Sequence, residues 1–420
     1  MGKTKKRMTN NNIEYPKMRY VEVIPAEVEG ERIICLRDPQ NLSDNILAVS
    51  IETLRILSLF DGTKTVQDIQ SLVMERFGEL VLSEEIENLI KQLDEALFLE
   101  SENFRDYKDR IESGFREAGT REPSHAGLSY PGDPRELERW FQAFFSKAEE
   151  SGPQREAPGK LRGLISPHID YGRGGVSYAL AYRELLRENE ADTFLIFGTS
   201  HYAEVENPFI LTRKNFRTPL GEAETDRNII EKLETECGWD LYEGEISHRT
   251  EHSIEFQVAF LQHIMNGKKK FRIVPVLCNS FYRLVREGKS PAEDKMISGF
   301  LEAVAGIVRD MGDNIFIIAG ADRAHVGLKF GDKEPVNDLT LGKIKERDLL
   351  SLSFGEKMDA EGFYRSVEEE KDWRKVCGLS PIYATLAAID AERGKLLDYG
   401  QALEPDTGSV VSYASMGFYS

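Results

Sequence analysis

The chain has 420 residues, a formal charge of −18, 40% apolar residues and 30% charged ones. That length accommodates two or three domains with ample core, and the acidic balance argues against broad nucleic-acid binding. No run of about 18 apolar residues predicts a membrane-spanning helix. MGKTKKRMTNNN lacks the apolar segment of a secretory signal, so a cytoplasmic protein with a disordered tail over residues 1–13 is expected. Four cysteines without a CxxC pair describe neither a disulfide framework nor a zinc ribbon, which fits a reducing compartment.

Residues 14–35 alternate in short β-like runs broken at Glu29-Gly30, a hairpin signal. Thr65 caps a helix with Val66, Ile69, Leu72 and Val73 on one face, stopping at Gly78. LSEEIENLIKQLDEALFLE brings a second apolar helical stripe. Strands followed by three short helices predict a small winged-helix-like (α+β) module over 14–104. Leu57, Phe60, Asp61-Gly62, Thr65, Val66, Ile69, Phe77, Gly78, Leu93, Phe98 and Leu99 resemble the pattern of PqqD-like peptide-recognition modules. That resemblance implies peptide binding by β-strand addition; the plainer reading is a structural or oligomerising add-on. Residues 105–123 are charged and poor in apolar groups, hence a linker or an exposed helix.

From Ser124 to Ser420 strand-like runs alternate with helical patterns, the signature of an α/β sheet flanked by helices. Strands are expected at 161–167, 192–199, 271–279, 313–321 and near the C-terminus. Helices are expected near 134–150, 176–190, 222–237, 252–266, 293–310, 356–370 and 381–394.

Three of these strands lead into histidines: LRGLISPHIDYG (His168), DTFLIFGTSHYA (His201) and NIFIIAGADRAH (Asp322, His325). Ligands of open α/β sheets gather beyond the carboxyl ends of the strands. Two imidazoles with the thiolate of Cys377, which stands ahead of a helix, form a ligand set for Fe(II), copper or zinc. His325 is a candidate acid/base, and Asp322 either orients it, reaches the metal or caps a turn. Cys35, Cys237 and Cys278 read as small buried hydrophobes.

HRTEH (His248 to His252) fits the H-x-x-E-H pattern of inverted zinc proteases, a remote alternative. Glu251, His252 and Glu255 otherwise begin a helix that supports the cleft. Arg217 is either part of a turn or an anchor for an anionic substrate. The glycines of YGRGG could cradle an anion, but their spacing is not that of a nucleotide-binding loop.

SHAGLSYPGD, LISPHIDYG, FGTSHY, FRTPLGEAETD, EHSIEFQVAFLQ, FRIVPVL, AGADRAHVG, CGLSPI and VSYASMGF follow one another over about 300 residues. In this order they resemble the Memo family, the B component of the AmmeMemoRadiSam group, which is itself similar to class III extradiol dioxygenase catalytic subunits. The resemblance implies Fe(II) or copper on His168, His201 and Cys377, with cysteine where the dioxygenases use a carboxylate. It implies catalytic roles for His325, Asp322 and His252, and places His125 at the cleft. Departures at PHIDY and GADRAH set Asp170 and Arg323 near the site as determinants of substrate. The implied activity is that of a metal-dependent, dioxygenase-like oxidoreductase on a small molecule or peptide; the alternative is a non-catalytic binding or metal-handling protein. Radical-SAM and Amme-type proteins are the implied partners.

Overall fold

A computed structural model describes residues 13–28, 31–40, 42–43, 45–150, 159–186, 190–203 and 205–420. The expected tail, apart from its last residue, and the Glu29-Gly30 turn lie outside the described residues. The chain forms two compact units, divided between Glu117 and Ala118.

In the N-terminal unit, strands β1 (Glu22–Val28), β2 (Glu31–Arg37) and β3 (Ile46–Val49) make an antiparallel sheet in that order. Helices α1 (Ile51–Leu57), α2 (Val66–Phe77), α3 (Ser83–Glu95) and α4 (Glu102–Glu117) follow. Thr65 and Asp68 close a reciprocal capping box at the start of α2, and Gly78 ends it at φ 71°. Leu36, Leu57, Phe60, Ile69, Val73, Ile86, Leu93 and Phe98 form the core of this unit. The charged stretch 105–123 is divided: most of it is α4, whereas Thr120–Arg121 is a strand of the second unit with Arg121 fully buried.

The second unit contains β4 (Thr120–Arg121), α5 (Pro134–Glu150), β5 (Leu161–Ser166), α6 (Tyr171–Leu185), β6 (Thr193–Thr199) and β7 (Phe209–Leu211). Next come β8 (Asn215–Thr218), β9 (Gly221–Thr225), α7 (Arg227–Cys237), α8 (His252–Met265), β10 (Arg272–Cys278), α9 (Tyr282–Glu287) and α10 (Lys295–Met311). The chain closes with β11 (Ile315–Gly320), β12 (Asp322–Gly327), α11 (Asp338–Glu356), α12 (Ala360–Glu368), α13 (Leu379–Ala388), β13 (Arg393–Glu404) and β14 (Ser409–Tyr419).

The sheet runs β12-β14-β5-β11-β6-β10-β9-β8-β4, with β13 on β14 and β7 on β10. β5, β11, β6 and β10 are parallel neighbours at its centre. Successive residues of a strand face opposite sides. On one side Leu195, Phe197, Val274 and Ile317 pack with Phe300, Val304 and Ile382 of α10 and α13. On the other, Phe194, Ile196 and Ile318 meet Phe141, Tyr178 and Phe260 of α5, α6 and α8.

Four expectations are corrected. Residues 222–225 are not helical: they form β9, where buried Ala223 and Thr225 alternate with exposed glutamates, and Asp226 then caps α7. The helix expected to reach 394 stops at Ala388, and β13 follows from Arg393. Helix α11, nineteen residues long, had no counterpart in the expectations. The YGRGG glycines are not an anion cradle but the first turns of α6. A Cβ on Gly175 would lie 2.5 Å from the Phe144 ring, so this glycine allows α5 and α6 to pack closely.

Candidate metal centre

Three of the four central parallel strands deliver candidate residues from their carboxyl ends to one place. β5 leads through Ser166-Pro167 to His168, β6 through Ser200 to His201, and β11 through Ala321 to Asp322. Three helices start there as well: α6 just after His168, α8 at His252, and α13 just after Cys377.

His168, His201 and His252 each present one ring nitrogen, and these atoms lie within 4.8 Å of one another. The His201 and His252 rings stack at 5.0 Å between centroids, and His168 stands edge-on to both at 5.0 and 5.2 Å. Each Nδ1 faces an oxygen that can only accept. His168 Nδ1 donates to the Gly320 carbonyl at 2.9 Å, and His201 and His252 Nδ1 meet the Glu251 carboxylate at 3.1 Å. The proton is thereby fixed on Nδ1, and Nε2 keeps its lone pair.

Glu251 carries a disproportionate share of this geometry. Its carboxylate caps α8 by accepting the His252 and Ser253 N–H groups, and also accepts the backbone N–H of His201 at 3.0 Å. Burial opposes its charge, but His201 and His252 hold its carboxyl well below the usual range. In return, burial lowers the His201 pKa but Glu251 outweighs it, so the net shift is upward. For His168 burial wins: it pushes the ring down to about 3 although the Asp322 carboxylate stands 3.7 Å from Nε2.

Cys377 adds sulfur to the imidazoles, its Sγ 3.3 Å from His168 Nε2. Burial, with the nearby Asp322 carboxylate, pushes this thiol well above its ordinary range. A dication beside it would supply the charge that the thiolate needs. Asp322 links the parts: its carboxylate accepts the His168 N–H at 2.9 Å, and its carbonyl accepts the Gly378 N–H at 3.1 Å. The loop into Cys377 places three non-glycine residues, Lys371, Asp372 and Lys375, at φ 56°, 48° and 53°. Such strain persists where surroundings enforce it; Asp372 accepts the Val376 N–H at 2.8 Å, and Lys375 pairs with Asp332 at 2.7 Å.

Imidazole nitrogens with Nδ1 held by acceptors, plus a thiol, are a fitting donor set for Fe(II), copper or zinc. Ser166 and Ser200, just ahead of two cluster histidines, carry buried hydroxyls without a hydrogen-bond partner.

His325 follows Asp322 on β12. Its ring lies edge-on to Phe330 at 5.0 Å, its backbone N–H is held by Arg374, and burial with nearby His201 lowers its pKa to about 4. His125 contacts the His252 ring edge-on at 5.5 Å, and its Nε2 donates to the Thr250 carbonyl. Asp170 caps α6 and pairs with Arg173. Arg217 lies on the β8–β9 hairpin, its exposed guanidinium taken by Glu122 and Glu222. The Arg323 side chain is fully buried, 5.0 Å over the Phe363 ring and 3.7 Å from Asp348.

The HRTEH reading fails on geometry. His248 belongs to a 3₁₀ turn, Glu245–Arg249, and α8 starts only at His252, so the two histidines share no helix face. The His248 ring is turned to the Ile210 carbonyl, and Glu251 is engaged by His201 and His252. Sequence reasoning also missed Arg121, buried against Glu255. It sits in the charged stretch that reads as linker, and nothing local marks it.

The family pattern described as Memo-like protein matches residues 121–417. The chain belongs to the Memo family. A MEMO1 family protein of Aquifex aeolicus is 30% identical over 407 residues, covering 96% of this chain and all of the relative. A MEMO1 family protein of Methanopyrus kandleri is 29% identical, covering 71% of this chain and 98% of the relative. The memo-1 homolog of Caenorhabditis elegans is 29% identical, covering 72% and 83% respectively. The Memo match begins at Arg121, the second residue of β4, three residues into the second unit, while the sheet of residues 22–49 precedes it. No helix among the described residues is long and apolar enough to cross a membrane.

Proposed function

We propose that this Memo protein is a metal-dependent, dioxygenase-like redox enzyme that works on a small molecule or peptide. His168, His201 and Cys377 hold Fe(II) or copper, with His252 as a further imidazole donor beside them. The observation that carries the reading is the set of three imidazoles whose Nδ1 atoms are all engaged and whose remaining donors share one space. Bound Fe(II) or copper would supply electron transfer between substrate and oxidant. The protein's own groups do the rest. His325, neutral through most of the pH range, accepts and returns a proton. Asp322 keeps the His168 backbone and the Cys377 turn in register. Glu251 orients two imidazoles at once.

The test is anaerobic reconstitution with Fe(II) or Cu(I) and elemental analysis of the wild type, His168→Ala, His201→Ala and Cys377→Ser. One metal per chain, lost or weakened in the variants, is expected. A folded wild type that takes up neither metal ends the reading.

A second reading concerns the N-terminal unit, as a PqqD-like winged-helix reader of a peptide, with radical-SAM and Amme-type proteins as cytoplasmic partners. Its support is β1, paired only with β2 among the described residues, with Val23, Ile24 and neighbouring Tyr20 exposed. Such an edge takes an added strand. Retention of a peptide by the full chain but not by a Val23→Lys/Ile24→Lys variant is the expected result.

A further inference from the structure

Arg121 is fully buried, yet it stands on a two-residue strand at the far end of the sheet from β12. Its guanidinium reaches four places. Nε donates to the His248 carbonyl at 2.9 Å, and Nη1 pairs with Glu255. Nη2 donates to the Glu251 carbonyl at 2.9 Å and to Ser124 Oγ at 2.9 Å. The Glu255 carboxylate is saturated in turn, accepting from Tyr130, Ser124 and the His125 N–H as well. Burial opposes the charge of Glu255, but Arg121 and its other partners keep its carboxyl below the usual range.

We infer that Arg121 is a positioning residue for the histidine cluster, acting through Glu251. The fork fixes the backbone on both sides of the turn between His248 and Glu251, and so fixes where the Glu251 carboxylate meets His201 Nδ1. It also clamps the Ser124–Tyr130 loop, whose His125 ring abuts His252, against α8 through Glu255. A lysine can neutralise Glu255 but cannot serve three further acceptors in this planar array. The inference rests on the functional importance of the cluster, and its primary readout needs no metal.

The experiment is long-range ¹H–¹⁵N NMR of the metal-free full chain, reading the tautomer of His201 in the wild type and in Arg121→Lys, with circular dichroism as the check on folding. Read at a pH high enough for the His201 ring to be neutral, the wild type is expected to show a single Nδ1–H form, and the variant a mixture of tautomers. Cobalt(II) titration of both proteins is the second readout, with affinity expected to fall 10- to 100-fold, as for other residues behind metal ligands. A folded variant with an unchanged His201 tautomer overturns the inference. If the lysine variant does not fold, Arg121→Met with Glu255→Met removes the buried pair as a whole, which such pairs often tolerate; the same tautomer change is expected there. A tautomer change with no cobalt uptake by the wild type supports Arg121's role and counts against the metal reading instead.

Discussion

At the scale of single residues, one carboxylate connects most of the centre. Glu251 caps a helix, accepts a backbone N–H from the β6 exit and orients two imidazoles. Glu251→Gln keeps the shape but cannot accept from both rings and both cap N–H groups as a carboxylate does. Metal affinity is expected to fall about 10- to 100-fold, measured by Fe(II) titration, and the weakened cap to cost about 1 kcal/mol in denaturant unfolding. His248 gives a separate prediction. Burial lowers its pKa to about 3, whereas an unfolded histidine takes up its proton at about 6.5. Its contribution to stability is therefore intact above pH 6.5 and drains away as pH falls toward 3. The melting temperature of His248→Gln is expected to fall less between pH 6.5 and 4 than that of the wild type. His168 and His201 were legible in the sequence because each follows a continuous apolar strand. Arg121 was not, because its partners at Glu251 and Glu255 lie 130 and 134 residues away.

At the scale of elements, the β5, β11, β6 and β10 strands were legible because parallel strands buried on both faces are unbroken apolar runs. The β8–β9 hairpin was misread because GEAETD offers acidic side chains on its exposed face and only Ala223 and Thr225 on the buried one. Helix α11 was missed because its buried positions, Ile344, Asp348, Ser351, Leu352 and Gly355, are largely polar or small, so no apolar stripe marks them. Gly378 at the start of α13 provides a test at this scale. A Cβ there would lie 2.2 Å from the Asp322 carbonyl oxygen, at an ordinary φ of −78°. Gly378→Ala is expected to force β12 and the Cys377 turn apart, destabilising the unit by about 1–3 kcal/mol and weakening metal binding. Melting temperature and metal content of the variant check both effects.

At the scale of the molecule, every candidate donor lies in residues 118–420, and the Methanopyrus kandleri relative is matched almost entirely by 71% of this chain. A protein starting at Ala118 is expected to fold and to bind metal with unchanged stoichiometry, as elemental analysis would read. The two-unit organisation was visible in composition, since the apolar stripes of 66–99 end before the charged run of 105–123 begins.

The three helices that start at the cleft, α6, α8 and α13, point their amino ends toward it, and the carboxylates of Asp170 and Glu251 cap two of them. Each amino end carries roughly half a positive charge, on a chain whose formal charge is −18. Screening in 0.1 M salt confines surface charge to about 10 Å, so an incoming ion meets two fields in succession. The long-range field repels an anion and draws a metal cation in, and at the floor the Glu251 and Asp322 carboxylates offset the helix ends, so the cation is not turned away there. Added salt should therefore speed the arrival of anions and slow that of cations, and the sign of that salt dependence, taken by stopped flow, would reveal the charge of whatever the cleft was shaped to receive.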